Sequence, residues 1–343
     1  RCFNATDVVL PIGFEGLLKS YLDKRITMEE METEYQKMSR QNTDWFKILF
    51  RNSFNHNHSL SISGGSEKIQ NRTSFGYSRQ LGEAKGNNLS QFTVASNTTV
   101  QLWEQLIVNM TVNGSMRKVD GFAYGVDPFS YAYGTSRVIP CYNEDGSLFY
   151  HEKSGRSSDA IQNKMTYNYN ILNEKEHTGS NNNTRTWGTS FDLKWQIFGD
   201  LEYQGMFSYS SSSSDTKKYA TERSYYISEI RGYEYGTVAP NSAETISTPL
   251  PMGGLLETDL TNVSTIVTRN ALVYNKIFDA KHRITLQAGI ETNSSKTKGE
   301  TNMRWGYMPD RGETFAIPPC ITNMPIHSTV EIILVKFREG IPY

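Results

Sequence analysis

Apolar and polar residues alternate with a period of two along four stretches of the chain. In 186–197, Trp187, Thr189, Phe191, Leu193, Trp195 and Ile197 fall on one side, and Ser190, Asp192, Lys194 and Gln196 on the other. In 106–116, Leu106, Val108, Met110, Val112 and Met116 oppose Asn109, Thr111, Asn113 and Ser115. Segment 201–210 sets Leu201, Tyr203, Phe207 and Tyr209 against Glu202, Gln204, Ser208 and Ser210. Segment 282–291 sets Ile284, Leu286, Ala288 and Ile290 against Arg283, Thr285, Gln287 and Glu291. Side chains of a strand point alternately to opposite faces, so each stretch predicts a ribbon with one oily and one wet side. Weaker alternation at 56–63, 69–79, 91–99 and 262–274 brings the expectation to about eight strands, most near the roughly ten residues of a tilted membrane-crossing strand.

The start of the chain follows a different period. Leu17, Leu18, Tyr21 and Leu22 share a helical face, and Thr27 followed by Glu30 makes a capping box that predicts a second helix over 28–39. The period is expected to change to two after Trp45 and Phe46.

Alternation alone fits either a membrane barrel or a soluble β-sandwich. The connections separate the two. Short turns at 63–66, 101–105 and 198–199 are interleaved with long segments at 117–185, 211–261 and beyond 294. Short turns at one end and long loops at the other are the asymmetry of outer-membrane barrels, whereas such loops are foreign to a compact soluble domain. The serine run 210–214 is expected to be an exit into one of these loops. The fold class is therefore all-β: an antiparallel transmembrane β-barrel with about eight strands, a short helical N-terminal segment and long extracellular loops. A soluble sandwich acting as a carbohydrate-binding or adhesin module is the rival.

Composition sharpens this picture. Only 37% of the 343 residues are hydrophobic, yet 12% are aromatic, with 20 Tyr and 16 Phe, which is too many rings for a disordered chain. A formal net charge of −1 lacks the basic footprint of nucleic-acid binding. Cys2, Cys141 and Cys320 form neither a disulfide framework nor a metal spacing, and no cofactor is expected. No segment is long and apolar enough for a membrane helix, which leaves barrel strands untouched. No catalytic constellation is present, so an enzyme is not expected. The Asn-x-Ser/Thr triplets, including those at Asn71, Asn109 and Asn182, are a by-product of an Asn/Ser/Thr-rich chain. His56-x-His58 could hold a metal in principle but is expected to be polar strand decoration.

Candidate ligand contacts cluster in the loop 120–133. There Tyr124, Asp127, Phe129, Tyr131 and Tyr133 combine rings that can stack on sugar C–H faces with a carboxylate that can take hydroxyls. Packing of the loop itself is the competing role. Arg304, Asp310 and Arg311 are a second set suited to a polar ligand or to a solvated hairpin tip. Tyr219, Tyr225, Tyr226, Tyr233 and Tyr235 are expected to pack a large loop.

Several strings carry a resemblance. Asn42-Thr43-Asp44-Trp45-Phe46, Leu49 through Phe54, His56 through Gly65, Ser136 through Gly146, Ile230 through Glu234 and Arg304 through Glu313 resemble, in order and in one register from about 14 to 319, the SusC/RagA family of TonB-linked outer-membrane proteins. The resemblance implies that these strands form an open segment of a larger, 22-stranded barrel with an N-terminal plug, importing oligosaccharides or peptides across the outer membrane of a Gram-negative bacterium. It implies as partners outer-membrane lipid, a surface lipoprotein lid of the SusD type, and the TonB complex acting through an N-terminal region outside this chain. Three parts are then expected: residues 1–54 as a helical extracellular connection, 55–319 as a partial barrel, and 320–343 as a divergent tail. The sequence is expected to lack the plug and much of the barrel, as a truncated or frameshifted reading frame would.

Overall fold

The computed structural model describes residues 13–155, 166–278, 282–316 and 332–334. Two helices, α1 (Gly13–Leu22) and α2 (Met28–Arg40), open it. The expected capping box is present: the Thr27 N–H donates to Glu30 Oε2 at 2.7 Å and the Glu30 N–H to Thr27 Oγ1 at 3.3 Å. Period two starts later than the sequence suggests. Trp45–Leu49 forms a further short helix, α3, capped by Asp44, because Trp45 and Leu49 both turn into a buried core.

All eight expected strands exist, one for one: β1 (Phe54–Gly65), β2 (Ile69–Leu81), β3 (Asn88–Trp103), β4 (Leu106–Gly121), β7 (Thr178–Phe198), β8 (Leu201–Ala220), β9 (Gly254–Phe278) and β10 (His282–Met308). A small hairpin, β5 (His151–Ser154) with β6 (Thr166–Tyr169), stands apart. The short β11 (Thr314–Phe315) and β12 (Ile332–Leu334) pair with β10, so the main sheet has ten strands. Among the described residues every pairing is between antiparallel neighbours, and β1 pairs only with β2, so the sheet they form is open and has a free edge. Apart from that backbone pairing of β12, the expected tail at 320–343 lies outside the described residues.

The register carries each face across the whole sheet, because Cα partners point to the same side. One row reads Ser61, Ser74, Ala95, Asn113, Gly188, Ser210, Thr265 and Ser295, polar or small from end to end. The row offset by one residue reads Leu60, Phe75, Val94, Gly114, Trp187, Ser211, Ser264 and Lys296, and below it this second face carries Phe191 with Phe207, and Trp195 with Tyr203 and Leu272. Arg72, Asp192, Lys194, Glu202, Arg269, Arg283 and Glu291 all stand on the polar face. Between Trp187 and the turns the apolar face has no Asp, Glu, Lys or Arg except Lys276, which sits by a turn and pairs with Asp200 at 3.5 Å.

That apolar face is uncovered. Phe191 is 41% exposed, and Trp195 and Phe207 are each 43% exposed. A sandwich would seal these side chains between two sheets; among the described residues the only other sheet is the small β5–β6 hairpin. From Phe198 at a turn up to Trp187 the strand climbs about 36 Å, or about 28 Å of height at a tilt near 40°, close to the roughly 25 Å oily band of an outer-membrane barrel. Aromatic rings mark both limits: Trp195 beside Tyr203 near the turn, and Trp187 within 5.0 Å of Tyr209 above.

Two sequence expectations are corrected here. The serine run 210–214 is no loop exit but strand β8, paired on both sides with β7 and β9. Likewise the long connections 117–185, 211–261 and beyond 294 are shorter than expected, since β7, β8, β9 and β10 run 21, 20, 25 and 27 residues. The cause is physical: above the oily band both faces are wet, so alternation ends while backbone pairing continues. Side chains support that pairing. Asn182 Nδ2 donates to Thr216 Oγ1 at 2.6 Å and Ser214 Oγ at 3.1 Å, and Thr184 Oγ1 to Asn182 Oδ1 at 3.0 Å. A similar set of contacts occurs between β2 and β3 on the other face and on the turn side of Phe75, where Asn71 Nδ2 reaches Thr98 Oγ1 at 2.7 Å and Ser96 Oγ at 3.2 Å. These two Asn-x-Thr triplets therefore tie strands together.

Candidate functional site

The hydrophobic core of this chain lies above the strands, not within the sheet. It is a folded cap made from α3, the segment between β4 and β7, and the segment between β8 and β9. Within it are α4 (Pro128–Gly134), α5 (Ile171–His177), α6 (Tyr225–Arg231) and α7 (Ala243–Ser247). Each helix is short and begins on a side-chain cap, from Asp127, Asn170, Ser224 and Ser242 respectively. One buried cluster joins Trp45, Leu49, Val126, Ala132, Ile139, Cys141, Tyr167, Tyr169, Ile171 and Tyr225. A second joins Ile227 and Leu250 to Ala220 and Leu255, with Tyr124 and Trp305 packed against it. Ala220, Leu255 and Trp305 are on the polar side of their strands, so the cap folds over the polar face and leaves the apolar face bare.

Two buried charged groups hold the cap. Arg231, 3% exposed, donates from Nε to the Leu250 carbonyl at 3.1 Å and from Nη2 to the Gly253 carbonyl at 3.0 Å, with Glu222 Oε2 at 3.8 Å. This closes the loop 232–253 back onto α6. At its base Gly253 (φ +75°) passes Gly306 so closely that a Cβ would lie 2.4 Å from the Gly306 carbonyl carbon. Glu174, 2% exposed, accepts from the Tyr225 N–H at 2.8 Å and Asn173 Nδ2 at 2.9 Å. Burial outweighs these hydrogen bonds and pushes its carboxyl up to about 7.

A carboxyl raised in the folded state stabilises the fold fully below its unfolded value and loses that contribution as pH climbs through the folded one. The cap is therefore expected to tighten on acidification from pH 7 toward 4.5, by roughly 3 kcal/mol if the full shift is expressed. Hydrogen exchange of the α5 and α6 amides at the two pH values measures it. Glu174→Gln is expected to flatten that dependence, and an unchanged pH profile would contradict the assignment.

The sequence-predicted ligand residues are divided by the structure. Tyr124 is half-buried, its ring 4.5 Å from that of Tyr226, and burial raises its phenol above the usual range. Asp127 is occupied as the cap of α4, accepting from Ser130 Oγ at 2.6 Å and from the Phe129 and Ser130 N–H groups at 3.0 and 3.1 Å; the Ser130 hydroxyl and amide hold its carboxyl below the usual range. Tyr131 turns inward, edge-on to Trp45 at 5.0 Å, with its hydroxyl 2.9 Å from His151 Nε2. Phe129 and Tyr133 turn outward, 61% and 81% exposed, with near-parallel rings 6.5 Å apart. Phe46 and Phe50 extend this pair into an aromatic shelf, their centroids 6.1 and 6.4 Å from Phe129.

Arg304 is not gathered with this shelf: it lies on the side of β10 opposite Trp305, over the Phe315 ring at 4.5 Å. Asp310 and Arg311 form a helical turn at the tip after β10. His56 and His58 do share a face, rings 5.2 Å apart, but no group of three or more metal-ligating side chains occurs among the described residues. Phe46, Glu174 and Arg231 are not among the candidate contacts that the sequence suggests. The N-cap residues Asn170 and Ser224 are the only local signals that announce the helices around Glu174 and Arg231.

No family model matches the chain. Among curated proteins it is similar to TonB-dependent receptor P3 of Formosa agariphila, 23% identical over 285 residues, covering 81% of this chain and 25% of the relative. It is 32% identical over 106 residues to TonB-dependent receptor P26 of the same organism, covering 31% of this chain and 10% of the relative. It is also similar to TonB-dependent receptor SusC of Bacteroides thetaiotaomicron, 26% identical over 215 residues, covering 57% of this chain and 21% of SusC. Its fold is that of part of the RagAB peptide importer: TM-score 0.63 to the "open-open" state and 0.56 to the "closed-closed" state, at 16% and 18% identity, covering 84% and 77% of this chain and 29% and 27% of that one. The chain thus spans about a quarter or less of the curated relatives' length. The relatives are receptors and transporters rather than enzymes, and sequence and fold point the same way: this chain resembles part of a TonB-linked outer-membrane receptor of the SusC/RagA type.

Proposed function

We propose that this chain forms part of the wall of an outer-membrane importer of oligosaccharides or peptides, with the apolar face against lipid and the capped polar face toward the transport lumen. The observation that carries this is the sorting of charge: within the oily band Arg72, Asp192, Lys194, Glu202, Arg269, Arg283 and Glu291 share the face that the cap covers. A charge facing lipid near mid-bilayer costs about 2–4 kcal/mol, which is sufficient reason for that sorting. Residues 1–54 then act as an extracellular connection, and 55–319 as barrel wall with its cap outside the cell. Energy coupling through TonB and a SusD-type lipoprotein lid belong to the whole receptor.

The exposed shelf of Phe129 and Tyr133 is the candidate ligand surface on this cap, with Asp127 and Tyr131 holding α4 beneath it, Tyr124 packed in the neighbouring cluster, and Arg304, Asp310 and Arg311 as a separate polar contact set. Replacing Phe129 and Tyr133 together by Ala is expected to weaken oligosaccharide binding about 10-fold, taking about 0.5–1.5 kcal/mol for each stacking ring. Calorimetric titration of the chain in detergent with a neutral oligosaccharide panel and a peptide panel tests this and separates the two cargo classes. Unaltered affinity for every cargo that binds would exclude the shelf.

A further inference from the structure

On the apolar face the uncharged band ends abruptly on the cap side. Directly above it, still on that face, stand Arg79 on β2, Lys118 on β4, Arg185 on β7, and Lys296 and Lys298 on β10, all solvent-exposed. The turn side of the same face has no equivalent, since its strand cation Lys276 is paired with Asp200. Between the strands near Lys118 lies a shallow cleft of about 290 Å³ whose lining includes Tyr77, Phe92 and Met116, with Arg185 at the end of that same cross-strand row and Lys118 one row above it. Met116 and Arg185 are cross-strand partners, and Lys118 is the next residue of β4 on that face, so the two cations are diagonal neighbours over an apolar floor.

Their charges are little compensated. Lys118 has Asp120 at 3.8 Å, a long and half-exposed contact, and Asp120 is itself taken by Asn181 Nδ2 at 2.7 Å. Asp215 stands in the row of Lys118, two strands away and opposite Asn183, and diagonal to Arg185, but among the described residues it forms an ion pair with neither. Among the described residues Arg185 has no ion pair and no side-chain hydrogen bond. A site with an oily floor and two cations at the height where headgroups begin matches an amphiphile whose polar end is anionic.

We propose that this cleft seats a phosphate-bearing membrane lipid of the cap-side leaflet, its headgroup on Lys118 and Arg185 and an acyl chain laid over Met116, Phe92 and Tyr77. The proposal rests on the apolar face meeting lipid, and it adds a defined lipid site to that wall. Arginine and lysine near a membrane surface each attract anionic lipid, so loss of both is expected to weaken retention about 10- to 30-fold.

Native mass spectrometry of the full chain in neutral detergent, with phosphatidylglycerol and phosphatidylcholine of identical acyl chains, provides the test. Preferential retention of phosphatidylglycerol is expected, together with its loss in Lys118→Gln/Arg185→Gln and its persistence in Lys194→Gln on the opposite face. Millimolar inorganic phosphate should leave the lipid bound; complete displacement would make this a free-phosphate site and overturn the lipid assignment. Equal retention of the two lipids by the unaltered chain overturns it without recourse to any variant. Quenching of Trp187 and Trp195 by brominated acyl chains is read in parallel. Quenching without headgroup preference ends the lipid site and leaves the wall intact, whereas absence of quenching ends both.

Discussion

Leu193→Arg is expected to destabilise the bilayer-inserted chain by about 2–4 kcal/mol, while Ser190→Arg, three residues away on the other face, should cost under about 1 kcal/mol. Leu193 stands in the row of Val108 and Gly205 on the uncovered face, with no charged residue beside it. An arginine there must leave water or distort the surrounding bilayer to stay wet. Ser190 stands opposite Thr111 and Ser208 on the polar face, two residues from Asp192. An arginine at that position keeps its hydration and gains an anionic neighbour. Guanidinium unfolding in phospholipid bilayers measures the difference. Equal losses at the two positions would mean that both faces are wet or both are dry.

Arg231→Ala is expected to release the cap with a loss of about 3–5 kcal/mol, the scale for breaking a buried, hydrogen-bonded charge interaction. The substitution strands the Leu250 and Gly253 carbonyls and removes the closure of the loop 232–253 onto α6. Ile227 and Leu250, which form one cluster with strand residues Ala220 and Leu255, would lose their alignment. Limited proteolysis should then cut within 232–250 while β7, β8 and β9 stay protected, because their ladder does not depend on the guanidinium. Arg231→Lys is expected to recover little, since one ammonium cannot reproduce the forked donation to the Leu250, Gly253 and Glu222 carbonyls. Protection of 232–250 in the alanine variant would remove Arg231 from this role.

The eight long strands were legible in the sequence because one apolar and one polar face impose a rule on every second residue. Where that rule stops, so did the legibility. The upper part of β8 runs Ser211, Ser212, Ser213, Ser214, Asp215 and Thr216, polar on both faces, and nothing in hydropathy distinguishes such a strand from a loop. Cross-strand hydroxyl and amide contacts such as Asn182 to Thr216 decide it, and they join residues 34 positions apart in sequence. The cap was harder still. Tyr131 and Tyr133 look alike in a string of aromatic residues, yet α4 turns one toward Trp45 and the other into solvent. Glu174 and Arg231 carry no local mark of burial, since only the packed cap takes them out of water.

The most direct test of the wall is site-directed spin labelling along 187–196 in a bilayer, reading collision rates with oxygen and with a water-soluble nickel chelate. Oxygen should dominate at 187, 189, 191, 193 and 195, and the chelate at 188, 190, 192, 194 and 196. The inverse pattern, or the absence of any two-residue period, would contradict the assignment of the apolar face to lipid.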